Sequence, residues 1–388
     1  MKPVNASLAR WGTTIFTTMS ALAVEHGAIN LGQGFPDEEG PEAVRRLAAE
    51  AVLNGPNQYP PMRGLPELRQ AVAAHDRHRY ALDLDPEREV LVTSGATEAL
   101  AAAFLGLLEP GDEAVLIEPL YDSYLPVIER AGAVGKLVRT QPPDWTLPRD
   151  ALAAAFSAHT KVLVLNSPQN PSGKVLGDDE LAFIAALLES HDAYAVCDEV
   201  YEHLVFGGAG HRPLITLPGM RERCLRIGSA GKTFSATGWK VGWACGAPPL
   251  IDAVARAHQF LTFTTPPNLQ KAVAAGLSDG EAGWFADLTA SQQRKRDRLA
   301  AGLADAGFVP LPASGTFFLV ADRRSLDFAG DDAAFCRYLT VEAGVAAIPV
   351  SAFYRGAGPE GFIRFCFCKR DAVLDEAISR LVQHFRDR

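Results

Sequence analysis

The pattern of hydrophobic and polar positions changes twice along the chain. Residues 1–25 read as a loose arm with a short helix, and 41–53 and 65–80 have helical spacing. From residue 89, short and continuous apolar runs alternate with helical stretches. They predict strands over 90–92, 114–117, 134–138, 162–165, 194–197, 225–227 and 242–245, with helices over 96–108, 124–131 and 181–190 among them. Continuous apolar strands with helices between them indicate a mainly parallel sheet covered by helices, an α/β fold.

The last third of the chain has a different order of predicted helices and strands. A helix over 251–260 is followed by a break at 263–267, and a long, charged helix over 283–306 leads to strands over 316–320, 345–348 and 363–367. This pattern predicts a smaller α+β domain. We therefore expect an N-terminal arm over 1–40 that packs with the small domain, a large domain over 41–282, and a small domain over 283–388 that includes the interdomain helix.

Composition narrows the class of protein. The 388 residues are 48% hydrophobic and 21% charged, which is ordinary for a soluble globular protein. The net charge of -9 argues against nucleic-acid binding. The start of the chain does not read as a signal peptide, and no apolar run is long enough to span a bilayer, so we expect a cytoplasmic protein without membrane contact. Six cysteines and nine histidines lack ligand spacing, which predicts no metal site and no disulfide framework.

Distinctive residues fall where the predicted strands end, which is where ligands bind in open α/β sheets. They are Gly95 to Thr97 after the first strand, Tyr121 after the second, Asn166 to Gly173 after the strand over 162–165, Asp198 after the next, and Ser229 with Lys232 after the strand over 225–227.

Lys232 is the first candidate for chemistry because it stands among small residues in the stretch from Ser229 to Trp243. A phosphate loop would need a glycine five positions before Gly231, and Arg226 stands there, so that interpretation fails. Two interpretations remain open at this point. Lys232 is either an ordinary loop lysine or a lysine that forms a Schiff base with an aldehyde cofactor.

The predicted chain passes directly from a strand into a helix at Gly95, Ala96 and Thr97. Free N–H groups and the helix dipole at such a helix start favour the binding of a phosphate. Ser229 and Lys240 could add a hydroxyl and a charge. The competing interpretation is an ordinary helix start capped by Thr97 or Ser94.

Asp198 follows four apolar residues and needs a cation, for which a pyridinium nitrogen is suitable. The alternative is a cap for a helix beginning near Glu199. Tyr201 and Asn170 could bind a ring hydroxyl, and Tyr121 offers a flat face for stacking.

Arg364 lies in an otherwise apolar strand, where an arginine is costly unless it is paired. A substrate carboxylate is the natural bidentate partner, and an internal Asp or Glu is the alternative. Phe16, Phe353 and Tyr354 are weaker candidates for a side-chain pocket. The turn at Gly32 and Gly34 is either a plain turn or a pocket wall lined by backbone.

Six motifs together resemble the class I/II aminotransferases of pyridoxal phosphate (PLP) fold type I, and among these the methionine and kynurenine-glutamine aminotransferases. The likeness covers essentially the whole chain in order. The motifs are residues 30–37, 57–64, 166–175, 198–203, 229–243 and 363–367.

The resemblance implies a large domain with a mainly parallel sheet, a small α+β domain, and pyridoxal 5'-phosphate as cofactor. It implies roles for single residues. Lys232 would hold the cofactor, Asp198 would pair with the pyridinium, Asn170 and Tyr201 would bind the ring hydroxyl, and Tyr121 would stack. Gly95, Ala96, Thr97, Ser229 and Lys240 would bind the phosphate, with Tyr59 reaching it from the neighbouring subunit. Arg364, the backbone of Gly34, Asn170 and Phe16 would contact the substrate.

The expected function is therefore ping-pong transfer of an amino group from an L-amino acid of methionine, glutamine, aromatic or kynurenine type to a 2-oxo acid, in a homodimer with shared active sites. The same motifs are compatible with an N-succinyl-diaminopimelate aminotransferase or a cysteine-conjugate carbon-sulfur β-lyase. A sensor domain of a transcription regulator is the alternative outside enzymology, but the acidic chain has no DNA-binding segment.

Overall fold

A computed structural model describes residues 2, 4–208, 210–280 and 283–386. The α-helices are α1 Ala6–Ala9, α2 Ile15–Glu25, α3 Glu42–Asn54, α4 Pro66–Tyr80, α5 Ala96–Leu107, α6 Tyr124–Arg130, α7 Arg149–Ala155, α8 Asp178–Ser190, α9 Ala230–Thr233, α10 Pro248–Leu261, α11 Pro267–Gly280, α12 Trp284–Asp305, α13 Asp332–Glu342 and α14 Asp371–Arg386. The strands are β1 Ile29–Asn30, β2 Val90–Thr93, β3 Glu113–Glu118, β4 Val134–Arg139, β5 Thr160–Asn166, β6 Tyr194–Asp198, β7 Cys224–Ser229, β8 Gly242–Cys245, β9 Val309–Pro310, β10 Phe318–Asp322, β11 Val345–Ala346, β12 Ile348–Pro349 and β13 Phe362–Cys366.

Seven strands form the central sheet in the order β2-β8-β7-β6-β5-β3-β4, and β8 alone among them runs antiparallel to its neighbours. Alternate residues of β5 lie on opposite faces of the central sheet. Leu163 packs in one apolar cluster with Ile184 of α8, whereas Val164 packs in another with Phe104 of α5. The sheet is thus mainly parallel and covered on both faces, as the continuous apolar strands predict.

The C-terminal part forms a four-stranded sheet in the order β12-β13-β10-β9. The N-terminal arm reaches it, because β1 pairs with β11 in parallel and Met19 and Leu31 are buried in the same core as Phe335 and Phe365. The division into parts at residues 40/41 and 282/283 stays a prediction, and its second boundary adjoins residues outside the described ranges.

The structure differs from the predicted elements in several places. The strand over 345–348 is two short strands, β11 and β12, which belong to different sheets, and the strand over 316–320 begins only at Phe318. The break at 263–267 is followed by α11, which the sequence did not predict. It begins at Pro267, and a proline fits the first position of a helix because its missing N–H would be unpaired there anyway. Over the described ranges, no helix combines the length and apolar character that crossing a bilayer requires.

Candidate active site

A cavity with an empty volume of about 750 Å³ lies at the carboxyl ends of the central strands. Ten of the predicted site residues line it together. They are Gly95, Ala96, Thr97, Tyr121, Asn170, Asp198, Tyr201, Ser229, Lys232 and Lys240. Strands β2, β5, β6 and β7 each end beside the cavity, so the parallel topology brings together residues that are up to 145 positions apart in the chain, from Gly95 to Lys240.

Lys232 lies on the single-turn helix α9 directly after β7. Its Nζ donates a hydrogen bond to the carbonyl oxygen of Gly34 at 3.2 Å and lies 5.6 Å from the ring centre of Tyr201 and 5.0 Å from that of Phe317. Burial lowers the pKa of Lys232 because an ammonium is poorly solvated there. A lysine with a lowered pKa has a larger neutral fraction at neutral pH, as a base or nucleophile requires.

The first turn of α5 meets Lys240 at one end of the cavity. Gly95 is the N-cap residue with φ +82°, and no side chain caps the helix, so the expected alternative of a cap by Thr97 or Ser94 is wrong. A methyl group on Gly95 would lie 3.4 Å from Lys240 Nζ, and one on Gly242 would lie 2.7 Å from the carbonyl carbon of Gly95. Free backbone N–H groups and one lysine therefore converge on the space that glycines leave open.

Asp198 ends β6 at the other end of the cavity. Its Oδ2 accepts a hydrogen bond from the Tyr124 hydroxyl at 2.5 Å, and its Oδ1 accepts one from the Val200 backbone N–H at 3.4 Å. Burial raises the pKa of Asp198 to about 6. The residues that follow form turns, so the alternative of a helix cap at Glu199 is wrong.

Two tyrosines flank the middle of the cavity. Tyr201 packs edge-on against Phe317, with ring centres 5.1 Å apart. Tyr121 lies 5.8 Å from the ring of Tyr124 and also lines a second cavity next to the first. Burial raises the pKa of Tyr121 to about 12, so its hydroxyl is neutral at physiological pH.

Arg364 projects from β13 and is buried. Its Nη1 donates to Asn170 Oδ1 at 2.8 Å and its Nη2 donates to the Gly32 carbonyl oxygen, while its buried Nε has no hydrogen-bond partner. Burial lowers the pKa of Arg364 to about 10. The predicted alternative of an internal Asp or Glu partner is wrong, since both of its hydrogen-bond partners are neutral.

Aromatic rings surround this guanidinium. Its central carbon lies 3.9 Å from the ring centre of Phe318, and 5.1 Å from those of both Phe16 and Phe353. Phe16 and Phe353 also line the second cavity, which has an empty volume of about 870 Å³. The other named candidate for this pocket, Tyr354, lines it too, but its hydroxyl donates to the Thr140 carbonyl oxygen at 2.9 Å.

Tyr59 is the one predicted cofactor residue that the chain does not bring to the cavity. Its side chain is 83% exposed and packs edge-on against Phe263, with ring centres 5.7 Å apart. Phe260 and Phe263 are also exposed, and Phe263 has a left-handed backbone with φ +66°. Three exposed aromatic side chains in one region are unusual on the surface of a monomer.

Tyr124 and Asn166 belong to the site, but the sequence assigns neither of them a role there. Tyr124 is predicted only as the start of a helix, and Asn166 only as the start of a motif, although its Oδ1 accepts from the Asn170 N–H at 2.9 Å. The signal that identifies Arg364, an arginine in an apolar strand, applies equally to Arg226 in β7, which is not among the residues that line the cavity.

The chain matches a family model over residues 26–381, and that model is the aminotransferase class I and II family. The chain belongs to this family. It is 49% identical to the probable N-succinyldiaminopimelate aminotransferase of Mycobacterium tuberculosis strain H37Rv over 96% of both chains. It is 40% identical to the methionine aminotransferase of Escherichia coli K12 over 97% of both, and 38% identical to a kynurenine-oxoglutarate transaminase of Dictyostelium discoideum over 96% of this chain and 94% of that one.

Solved structures agree with these sequence comparisons. The N-succinyldiaminopimelate aminotransferase of M. tuberculosis superposes with a TM-score of 0.95, at 49% identity, covering 98% of this chain and all of that one. The chain is therefore an aminotransferase of PLP fold type I, which confirms the fold class, the enzyme class and the family that the motifs indicated. The names of these relatives specify different amino donors, so they leave the amino donor of this enzyme open.

Proposed function

We propose that this enzyme uses pyridoxal 5'-phosphate to move the amino group of an L-amino acid with an apolar or aromatic side chain to a 2-oxo acid. The observation that carries the proposal is the one cavity in which a half-buried lysine, a buried carboxylate and an uncapped helix N-terminus face one another. A flat ring with a phosphate at one end and a cationic nitrogen at the other would match these three groups.

The lining residues fit this cofactor at both ends. The N–H groups of Ala96 and Thr97 at the start of α5, with the Ser229 hydroxyl and Lys240, would hold its phosphate. Asp198 would pair with the ring nitrogen, and a buried carboxylate whose pKa is raised by burial is suited to pair with a cation. Tyr201 and the Asn170 side-chain N–H₂ would bind the ring hydroxyl, because the Asn170 oxygen already accepts from Arg364. When bound, the cofactor supplies an electron sink for charge that develops at the substrate α-carbon.

Lys232 then acts as the base and the acid of the reaction. Its neutral amine would remove the proton from the α-carbon of the amino acid and, in the second half-reaction, return a proton to the α-carbon of the 2-oxo acid. Tyr201 and Phe317 limit the approach of water to the lysine, because their rings lie within 6 Å of Nζ. Gly34 holds the amine in place through its carbonyl oxygen until the substrate arrives.

Arg364 would bind the substrate carboxylate. Its unpaired Nε and its nearby Nη2 form one edge of the guanidinium, and such an edge can hold two carboxylate oxygens at once. Asn170 and the Gly32 carbonyl oxygen fix the plane of the guanidinium. The stacked Phe318 ring supports it from one face.

The second cavity supports the choice of donor. It begins at Tyr121 and Phe16, next to Arg364, and its other apolar lining residues include Trp11, Leu125 and Phe353. A methionine or phenylalanine side chain could leave water there without losing hydrogen bonds.

A second donor, N-succinyl-diaminopimelate, is favoured by one observation at the mouth of this cavity. Arg10 lies 2.5 Å and Arg355 lies 3.6 Å from different oxygens of Glu129, so two guanidinium groups share one carboxylate. The surplus positive charge suits a donor with carboxylates at its far end. Asp122 also lines the cavity and would offset part of that charge.

We propose further that two subunits complete each site. Tyr59 would reach the cofactor phosphate of the neighbouring subunit, and the exposed rings of Phe260 and Phe263 beside it would be covered in a homodimer. The exposure of these rings supports this arrangement.

A single-turnover panel tests the proposal. The holoenzyme is mixed, without any 2-oxo acid, with methionine, glutamine, kynurenine, phenylalanine, aspartate, N-succinyl-diaminopimelate or a cysteine conjugate, and the cofactor absorbance, the released oxo acid and any ammonia are followed. We expect conversion with methionine or an aromatic donor. Conversion with N-succinyl-diaminopimelate alone would favour the second donor, and pyruvate plus ammonia from a cysteine conjugate would indicate a β-lyase. Protein that binds no cofactor would contradict the proposal.

A further inference from the structure

Tyr124 reaches the carboxylate of Asp198 from the interior of the protein. Its hydroxyl lies 2.5 Å from Asp198 Oδ2, and both residues are buried. Asp198 is among the residues that line the cavity, whereas Tyr124 is not, so this hydrogen bond lies behind the carboxylate as seen from the cavity. The carboxylate at this end of the candidate site is therefore held by the protein itself.

The direction of this hydrogen bond follows from the chemistry of the two groups. Above about pH 6 the Asp198 side chain is ionised, and an ionised carboxylate accepts hydrogen bonds without donating any. Burial and the nearby charge of Asp198 raise the pKa of Tyr124 well above its ordinary value, so the phenol keeps its proton. Tyr124 is therefore the donor at neutral pH. The other titratable groups that face this pair are Tyr121, Glu199, Tyr201 and Lys232.

The two carboxylate oxygens of Asp198 are held differently. Oδ2 accepts the short hydrogen bond from Tyr124, whereas Oδ1 accepts from the Val200 N–H at the long distance of 3.4 Å. The main chain is fixed as well, because Asn166 Nδ2 and the Ser167 N–H donate to the Asp198 carbonyl oxygen at 3.0 and 3.3 Å. Each carboxylate oxygen can accept about two hydrogen bonds. Oδ1 is therefore the oxygen that remains available to a cation in the cavity.

Packing fixes the ring that carries this hydroxyl. Tyr124 is the first residue of α6, and its ring packs edge-on against Phe104 of α5 and against Tyr121, with ring centres 6.3 and 5.8 Å apart. A contribution to the core is therefore the competing explanation for a buried tyrosine at this position. A phenylalanine would keep both ring contacts and lose the hydroxyl alone, so the two roles can be separated by experiment.

A donor at Oδ2 also affects a proton that Asp198 shares with a ring nitrogen. The proton can lie on the nitrogen, which gives an ion pair, or on the carboxylate, which gives a neutral pair. The Tyr124 hydroxyl stabilises the charged carboxylate and thereby favours the ion pair, whereas burial favours the neutral pair. Loss of the hydroxyl must therefore move the proton toward the carboxylate. A ring nitrogen that keeps its proton is the stronger electron sink.

We propose that Tyr124 is a positioning residue that holds Oδ2 of Asp198, so that Oδ1 faces the cofactor nitrogen and the shared proton stays on that nitrogen. Tyr124 acts through Asp198 and not on the reacting atoms. The proposal rests on the proposed pairing of Asp198 with the cofactor, so an Asp198 variant accompanies each Tyr124 variant in the experiments.

Nitrogen NMR of the holoenzyme, reconstituted with pyridoxal phosphate labelled with ¹⁵N in the ring, tests the position of the proton. The wild type and the control Tyr194→Phe, at the start of β6, should show a protonated ring nitrogen. We expect the signal of Tyr124→Phe to move toward that of a neutral ring, and Asp198→Asn to give the neutral signal. A wild-type signal in Tyr124→Phe beside a neutral one in Asp198→Asn would overturn this proposal alone. A protonated nitrogen in Asp198→Asn would contradict the pairing of Asp198 itself, and this proposal with it.

Cofactor affinity separates the hydrogen bond from packing. In equilibrium dialysis of the cofactor-free proteins, Tyr124→Phe should bind pyridoxal phosphate about tenfold more weakly than the wild type, because the charged carboxylate has lost a donor. In Asp198→Asn protein the same substitution should change the affinity by less than about twofold, because no carboxylate is left to stabilise. Equal losses in the two backgrounds would indicate a packing role and overturn the proposal. In steady-state kinetics, Tyr124→Phe should lower kcat about tenfold at unchanged KM for the amino donor, and a changed KM at unchanged kcat would also overturn it.

Discussion

Asp198 is a buried carboxylate at one end of the candidate site. Burial raises its pKa to about 6, so the folded protein holds it as the neutral acid only below about pH 6. A raised carboxyl pKa costs stability once the pH exceeds the unfolded value. The cost begins near pH 4 and reaches a plateau above pH 6, where it is about 3 kcal/mol for a shift of about two units.

Asp198→Asn should therefore stabilise the cofactor-free protein at pH 7.5 and have little effect at pH 4. Thermal unfolding of both proteins at the two pH values measures this, and the gain at pH 7.5 should be a few degrees. Adding pyridoxal phosphate should reverse the order, because a cationic ring nitrogen can pair with the carboxylate but not with the amide. A gain of equal size at both pH values would contradict the raised pKa.

Arg364 illustrates a role that depends on shape as well as charge. Arg364→Lys keeps the charge but loses the edge that holds two carboxylate oxygens, so we expect kcat/KM for the amino donor to fall about a hundredfold, mainly through KM. Steady-state kinetics over a range of donor concentrations measure the change. Arg324→Lys, at an exposed ion pair with Asp322, is the matched control. Unchanged KM in the Arg364 variant would argue against the carboxylate clamp.

The sequence singles out these candidate residues, but it does not predict which residues they contact. Lys232, Asp198 and Arg364 stand out because each is a charged residue in apolar or small surroundings. The Asp76–Arg226 and His75–His203 contacts join residues 150 and 128 positions apart, which no local pattern specifies. These contacts therefore became visible only in the structure.

The residues that follow the predicted strands are grouped by the topology of the sheet, which explains why the sequence places the candidate site residues together. Continuous apolar runs identify β2, β3, β5, β6 and β7, and parallel pairing places their carboxyl ends at one edge. The two-residue strand β1 is too short to give a hydrophobic period, and the prolines at the start of α11 conceal that helix.

The close approach of β8 to the first turn of α5 gives a test of this edge. Gly242→Ala would place a methyl group 2.7 Å from the Gly95 carbonyl carbon and 2.8 Å from the Ala96 nitrogen, so the phosphate-binding turn must shift. We expect affinity for pyridoxal phosphate, measured by equilibrium dialysis, to fall at least tenfold. Gly238→Ala, where a methyl group meets no atom within 4 Å, should bind normally. Equal affinity in both variants would contradict the assigned phosphate end.

At the scale of the whole molecule, the exposed position of Tyr59 can be tested by mixing subunits of two variants. If Tyr59 serves the neighbouring site, inactive Lys232→Ala and impaired Tyr59→Ala subunits complement each other, because a mixed dimer contains one site with both native residues. Random reassortment should restore about a quarter of the wild-type activity, from half the dimers with one good site each. Mixtures no more active than the average of the parents would place Tyr59 outside the shared site.

Exchange of the substrate α-proton in D₂O tests the role of Lys232 most directly. The holoenzyme is incubated with its amino donor, without a 2-oxo acid, and loss of the α-proton signal is followed by ¹H NMR. The wild type and the surface control Lys136→Ala should exchange this proton at similar rates, and Lys232→Ala should do so about a thousandfold more slowly, because its base is gone. Exchange at the wild-type rate in Lys232→Ala protein would contradict the account.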